Sequence, residues 1–244
     1  FRIISEKSSN CYSHSFEFLS GNNKDLKLLL NNYNSVGNGG PIITSPTGSH
    51  LKIFVEGDQS QLSLESTIGY TSIQAYDLTF FSDIAKLTII GGKGRNGQNG
   101  LTSAVNKNTE CWSRKGDDGE NGYAGITCHN VTFNSSNITI KGGSGGRGGD
   151  GGVATGNGWS MISNNHMAIF SGGDGGHGGS GGNAIEYTGE IFNASLAILV
   201  GGAGGHGGTH GEHNNTNMYY HGDRPWFGED GKPGDKGANY KKIS

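Results

Sequence analysis

Four times along the chain a short apolar segment runs straight into a tract dominated by glycine. The copies read LTIIGGKGRNGQNG (87–100), ITIKGGSGGRGGDGG (138–152), AIFSGGDGGHGGSGG (168–182) and AILVGGAGGHGGTHG (197–211). In the fullest copies glycine takes two of every three positions. The leading Gly-Gly pairs begin at Gly91, Gly142, Gly172 and Gly201, so their spacings are 51, 30 and 29. A repeat of about 30 residues, with an insertion in its first copy, predicts a stacked architecture, because units of that size cannot bury a face alone.

Composition narrows the choice. The chain has 244 residues and 47 glycines, is 32% hydrophobic, and carries a formal net charge of −3. Its mean hydropathy is −0.50. Such bulk values alone point toward disorder. Period argues the other way, since a random linker does not place glycine on a three-residue grid after strand-like segments. No cluster of Lys and Arg offers the charge that phosphate neutralisation requires, which argues against nucleic acid as a partner. No apolar run approaches the ~20 residues of a membrane span. The sequence opens at Phe1 instead of Met, which a removed signal peptide would explain.

Five N-x-S/T sequons, at Asn130, Asn134, Asn137, Asn193 and Asn214, favour a secreted or surface location and are candidate glycosylation sites. Cys111 and Cys128 flank one glycine tract and are expected to form a disulfide across its turn, leaving Cys11 unpaired.

Between tracts, segments such as HLKIFVEG, QLSLES and YTSIQAYDLTFF alternate apolar and polar residues, as half-buried strands do. The copies AYDLTFFSDIAKLTIIGG, GITCHNVTFNSSNITIKGG and AIEYTGEIFNASLAILVGG each read as strand, Asn/Ser/Asp corner, strand, glycine tract. The expected fold is all-β: a β-solenoid of about 30-residue repeats carrying polyglycine-II rods. Residues 1–40 are expected to be an N-terminal cap or attachment segment. Residues 41–244 form the repeat domain, with an aromatic loop near its end.

The tracts follow from glycine's one advantage. An extended helix of the polyproline-II type has three residues per turn and rises about 3.1 Å per residue. With glycine at two of three positions, two of its sides carry no side chain, so neighbouring rods can approach to backbone hydrogen-bonding distance. The third position faces solvent and holds Lys93, Ser144, Arg147, Asp150, Asp174, His177, Ser180, Ala203 and His206. Some tracts return: GDDGENGYAG (116–125) and GEDGKPGDKGA (228–238) resume the grid after intervening loops, the latter in a collagen-like pattern.

The GGxGGxGG tracts resemble polyglycine-II bundle proteins, namely the receptor-binding adhesins of T-even-like phage tail fibres and the snow-flea antifreeze protein. The resemblance covers the tracts, while the strands between them are more similar to surface β-helix repeats. It implies that loops joining the rods, here 101–115, 153–166 and 212–227, carry receptor recognition.

The loop EHNNTNMYYHGDRPWF concentrates Tyr219, Tyr220, His221, Asp223, Arg224, Trp226 and Phe227. Aromatic rings beside Asp and Arg suit sugar recognition, and they equally suit a cap packed over the end of a stack. Trp112 stands beside Cys111 in the first loop. His206, His210, His213 and His221 lie close in sequence but lack a spacing that converges three or four ligands, so no metal is expected. His177 and His206 occupy matching positions and are expected to stack on adjacent rungs. DDGEN lacks the twelve-residue calcium pattern. No phosphate loop, no Ser/His/Asp set and no cofactor motif is present, so enzymatic activity is not expected. The function expected is that of a secreted structural or adhesive protein that self-associates into a fibre, appendage or coat. A glycan- or receptor-binding adhesin is the first alternative. Ice binding is a further one, opposed by the charged third positions.

Overall fold

The computed structural model describes residues 2–4, 16–18, 25–31, 34–37, 39–57, 61–104, 111–155, 161–162, 166–167, 170–214 and 228–243. Among these the chain is all-β, with one short 3-10 turn at Ala194–Leu196 and no α-helix.

Strands stack in parallel into two main sheets. The first runs Arg2–Ile4, Asp25–Asn31, His50–Glu56, Ile73–Ser82, Ile126–Phe133, Ile185–Tyr187 and Tyr240–Lys242, with Ile191–Phe192 also on Ile126–Phe133. The second runs Ser35–Val36, Gln61–Glu65, Lys86–Ile90, Ile138–Lys141 and Ile198–Val200. Alternation sets the inward face. In HLKIFVE, Leu51, Ile53 and Val55 are buried while their neighbours are not. The parallel register then places like on like. Leu28, Ile53, Phe80 and Phe133 form one column, and Leu64, Ile89, Ile140 and Leu199 another. The Phe80 and Phe133 rings stack with centroids 5.7 Å apart. Apart from the partly buried Leu199, each of these side chains is fully buried and contributes about 1.5–3 kcal/mol, so these columns are the main source of cohesion outside the glycine tracts. The segment expected as a cap, 1–40, contributes Asp25–Asn31 and Ser35–Val36 to the same two sheets.

Register corrects the expected repeat. Near the N-terminus the offsets between stacked strands are 25 and 27, with Leu26 opposite Leu51 and His50 opposite Asp77. Beyond that, Ile89 pairs with Ile140 and Ile140 with Leu199, offsets of 51 and 59. The long rung is a short rung plus a pair of glycine tracts. One tract leaves the second sheet, and the other returns to the first. The copy AIFSGG therefore begins a returning tract, and Phe170–Ser171 pairs with Cys111–Trp112 instead of joining the second sheet. The four phrases are not equivalent, and the true unit is nearly twice the expected length.

Six extended tracts result: rod 1 (91–101), rod 2 (114–125), rod 3 (142–152), rod 4 (172–182), rod 5 (201–211) and rod 6 (228–238). They bond to one another at every third residue. Gly94, Gly97 and Gly100 donate to the carbonyls of Ser144, Arg147 and Asp150, which makes rods 1 and 3 parallel neighbours. Gly145, Gly148 and Gly151 donate likewise to Ala203, His206 and Thr209 of rod 5. Rods 2, 4 and 6 form a second parallel series through Gly116 to Asp174 and Gly175 to Glu229. The two series run antiparallel, since Gly143 donates to Tyr123, Gly146 to Glu120, and Gly182 to Gly143. The bundle is thus two layers of three rods, and a three-residue bonding period is the one polyproline-II geometry supplies.

Candidate functional site

Rods 1, 3 and 5 run in one direction, so their outer ends meet at a single tip. There the chain turns back three times, and the turns are tied together. Ser103–Ala104, Ala154–Thr155 and His213–Asn214 form a three-stranded parallel sheet. Cys111–Trp112 pairs with Phe170–Ser171, and Met161–Ile162 pairs antiparallel with His166–Met167. The three loops singled out in the sequence therefore share one end of the molecule. Trp112 is placed at that tip by its backbone. Tyr219, Tyr220, His221, Asp223, Arg224 and Trp226 lie outside the described residues.

The broad faces of the bundle carry the third-position side chains, and here the structure shows a device the sequence reading missed. In each interior turn, one glycine N–H bonds within its layer and the next bonds across layers. The third residue's N–H would be left facing solvent. At seven of these positions a polar side chain on the adjacent rod accepts it, and on one face Asn96 Oδ1 takes the N–H of Arg147 at 2.9 Å, Asn99 Oδ1 that of Asp150 at 2.9 Å, and Asp150 Oδ1 that of Thr209 at 2.9 Å. On the opposite face Asp118 caps His177, Asn121 caps Ser180, Asp174 caps Glu229 and His177 Nδ1 caps Lys232. The signal was in the sequence as Asn, Asp and His recurring at third positions, but solvent exposure explained those residues equally well.

These bonds set the local electrostatics. The N–H of His177, aided by Lys115, holds the Asp118 carboxyl below the usual carboxylate range. The N–H and hydroxyl of Thr209 do the same for Asp150, with Arg147 beside it. The N–H and ring of His210 lower Asp230. His177 and His206 do not stack. They sit on rods of opposite layers and point from opposite faces, because rods 4 and 5 meet through their glycines. Among the described residues no three His, Cys, Asp or Glu side chains converge on a common metal position.

The expected Cys111–Cys128 bridge is not formed. Cys128 is a free thiol, 4% exposed, facing the interior between Ala75 and Tyr187. The backbone of Cys111 lies out at the tip, paired with Phe170. Rod 2 separates the two positions, which sequence spacing alone could not reveal. Burial pushes the Cys128 thiol up to about 12, with the Asp77 charge adding to the shift.

The sequon asparagines divide by geometry. Asn130 is bonded on both sides, its Nδ2 donating to Asp77 and its Oδ1 accepting from the N–H of Glu190. Asn137 Nδ2 donates to the Asp83 carbonyl, and Asn193 Nδ2 to that of Phe133. These three amides join successive rungs at the corners. Asn134 is exposed at its corner. Asn214 lies in the tip sheet.

No protein-family model and no curated protein sequence matches the chain. Among solved structures, a nine-helix polyproline type II bundle, the springtail antifreeze protein from Granisotoma rainieri, is 24% identical over 64% of this chain and 95% of its own, with a TM-score of 0.13. A superposition that loose carries no argument. No helix among the described residues is long and apolar enough to cross a membrane.

Proposed function

We propose that this chain is an adhesive structural protein of the extracellular surface: a β-solenoid whose long coils project a polyglycine-II brick, with recognition carried by the loops at the brick's tip. The supporting observation is the convergence of all three rod-to-rod connections on one end, joined there by the sheet of 103–104, 154–155 and 213–214. A bundle bonded every third residue along its length is stiff, and a stiff stalk holds its end loops in fixed relative positions. The sequence of loop 212–227 and Trp112 hold the aromatic residue types that sugar rings stack on. A cell-surface glycan or receptor is the partner proposed.

Ice binding fits the faces poorly, since Lys93, Arg147, Asp150, Asp174, His177 and Lys232 stand on them in place of a flat array of small residues. Self-association is the second reading. It is favoured by the last rung of the stack, where Phe192, Leu196, Ile198 and Tyr240 are exposed beside strand edges that no described strand pairs with. Two measurements test both readings. A glycan array probed with the full chain should give hits that are lost on Trp226→Ala or Tyr219→Ala while the melting temperature holds. Light scattering with negative-stain microscopy reports assembly. A monodisperse monomer with a blank array and no receptor on intact cells would remove the adhesive reading.

A further inference from the structure

The lattice of rods follows one rule, and the C-terminal end of the bundle leaves that rule unfinished. Within a layer, each rod's first glycine donates its N–H to a carbonyl two rods on: Gly145 to Ala203 and Gly148 to His206. The equivalent groups on rod 5 are the N–H of Gly204 and Gly207, and neither has a partner among the described residues. Across layers, each rod's second glycine donates back to the rod before it. Rod 5 donates from Gly202, Gly205 and Gly208 to Gly182, Gly179 and Gly176, and rod 6 from Gly231, Gly234 and Gly237 to Gly208, Gly205 and Gly202. By the same rule the carbonyls of Gly231, Gly234 and Gly237 await a following rod, and they accept nothing among the described residues. All five of these glycines are partly open to solvent, whereas Gly176, Gly179 and Gly182 are buried. Donors on rod 5 and acceptors on rod 6 thus line one rod position that no described residue fills, at a three-residue spacing.

Rod 6 shows what such a position demands. It is itself the last rod, and it keeps glycine at 228, 231, 234 and 237 while carrying Glu, Asp, Lys and Pro elsewhere. A Cβ on Gly231 would meet the backbone of Gly176, 2.5 Å from its carbonyl carbon, so that one position in three must be glycine. The other two tolerate side chains. The position before each glycine also tolerates proline, as Pro233 demonstrates, whereas the position after it donates its N–H to rod 4, Glu229 to Asp174 and Lys232 to His177.

We propose that rods 5 and 6 form a docking track for an extended (Gly-x-y)n segment of another protein, bound in polyproline-II conformation parallel to rod 5 and antiparallel to rod 6. Its glycine N–H groups would donate to Gly231, Gly234 and Gly237, and its carbonyls would accept from Gly204 and Gly207. A second copy of this chain cannot fill the track with its own leading rod. Where rod 3 has Gly146 and Gly149, rod 1 has Arg95 and Gln98, and Leu101 stands for Gly152. Side chains there would land on the backbone of rod 5. Rod 6 of a second copy already turns its one glycine per turn toward rods 4 and 5 of its own bundle, and rods 2 to 5 are flanked within their layers or across them. The inference concerns the side of the bundle and stands apart from the tip-loop reading.

The test uses the full chain, labelled with 15N, and a four-triplet peptide (Gly-Ala-Pro)4, with proline where rod 6 has Pro233, against the control (Ala-Ala-Pro)4. We expect saturable binding of the glycine peptide, amide shifts confined to rods 5 and 6, and hydrogen exchange at Gly204 and Gly207 slowed by about tenfold or more. The alanine peptide should bind at least about tenfold more weakly. Three results would each overturn the proposal: no binding at peptide concentrations of about 1 mM, equal binding of both peptides, or shifts that map away from rods 5 and 6.

Discussion

Gly146 lies at the centre of rod 3, and Gly146→Ala is the sharpest perturbation the bundle offers. Its N–H donates to Glu120 at 2.8 Å, and its carbonyl accepts from Gly179 at 2.9 Å. An added Cβ would sit 2.5 Å from the carbonyl carbon of Arg95 and closer still to its oxygen. Ordinary contact begins near 3.4 Å, so rods 1 and 3 must separate by about 1 Å. Neither can yield by a rotamer change, because both surfaces are backbone. Overpacking of this kind costs about 1–3 kcal/mol, and the two strained hydrogen bonds add roughly 0.5–1.5 kcal/mol each. Alanine also narrows the unfolded ensemble, which returns about 0.4–1 kcal/mol. The net expectation is about 2–5 kcal/mol of destabilisation. For a chain of this size that lowers Tm by roughly 5–20 °C. Denaturant unfolding followed by circular dichroism measures it, with Arg147→Ala as control, a neighbouring solvent-facing change expected to stay within about 0.5 kcal/mol. If Gly146→Ala shows the same stability as the parent protein to within about 0.5 kcal/mol, the close approach of backbones that defines this bundle is wrong.

The acidic limb of stability should belong to the capping aspartates. The carboxyls of Asp118, Asp150 and Asp230 are held below their ordinary value by the N–H groups they accept. Their contribution is therefore full above the unfolded value of about 3.9 and disappears as pH falls through the lower folded values. Tm should be level from pH 7 to about pH 5 and fall below about pH 4. Asp150→Asn, which keeps an acceptor oxygen, should flatten that fall, and an unchanged acid limb in the variant would refute the assignment. Cys128 should resist alkylation at pH 8 in the native protein and react only on unfolding, because burial holds its thiol near 12; a Cys111–Cys128 peptide in a non-reducing digest would overturn this. Phe133→Ala should cost about 3–5 kcal/mol by opening a cavity beneath Phe80, read by chemical denaturation. Asn99→Ala should remove one cap, on Asp150, and cost about 0.5–1.5 kcal/mol, whereas Asn99→Asp should recover most of it.

The strands were legible because their signal is local. HLKIFVE and ITIK alternate with period two, and they are strands with alternating burial. The order of stacking was not legible, because AIFSGG and AILVGG look alike as text. They differ only in what lies above and below: Phe170 meets the tip strand at Cys111, and Ile198 meets Thr139 in the second sheet. Similarity between copies measured glycine content, and glycine content is shared by outgoing and returning rods. The disulfide expectation failed for a related reason, since a bridge between residues 17 apart in sequence ignores the rod that carries one of them away from the other. The site was legible as three loops but not as one tip, because a common end appears only once rods 1, 3 and 5 are known to be parallel.

What the sequence does encode, once the lattice is known, is the number of neighbours each rod has. Rods 3 and 4 contact four others and carry glycine at two of every three positions. Rods 1 and 6, at the ends, contact two others and need glycine only once per turn beyond the point where the rods leave the sheets. The collagen-like GEDGKPGDKG of rod 6 is therefore an edge signature and carries no implication of a triple helix. Arg95, Gln98 and Leu101 on rod 1 are its counterpart at the other edge. Glycine is the residue least favoured on conformational grounds, at about 0.5–1 kcal/mol relative to alanine, so a turn with two glycines persists only where two backbones press on it. Rod 5 is the instructive exception. Gly204 and Gly207 press against rod 6 with their Cβ directions, while their N–H groups meet no acceptor among the described residues.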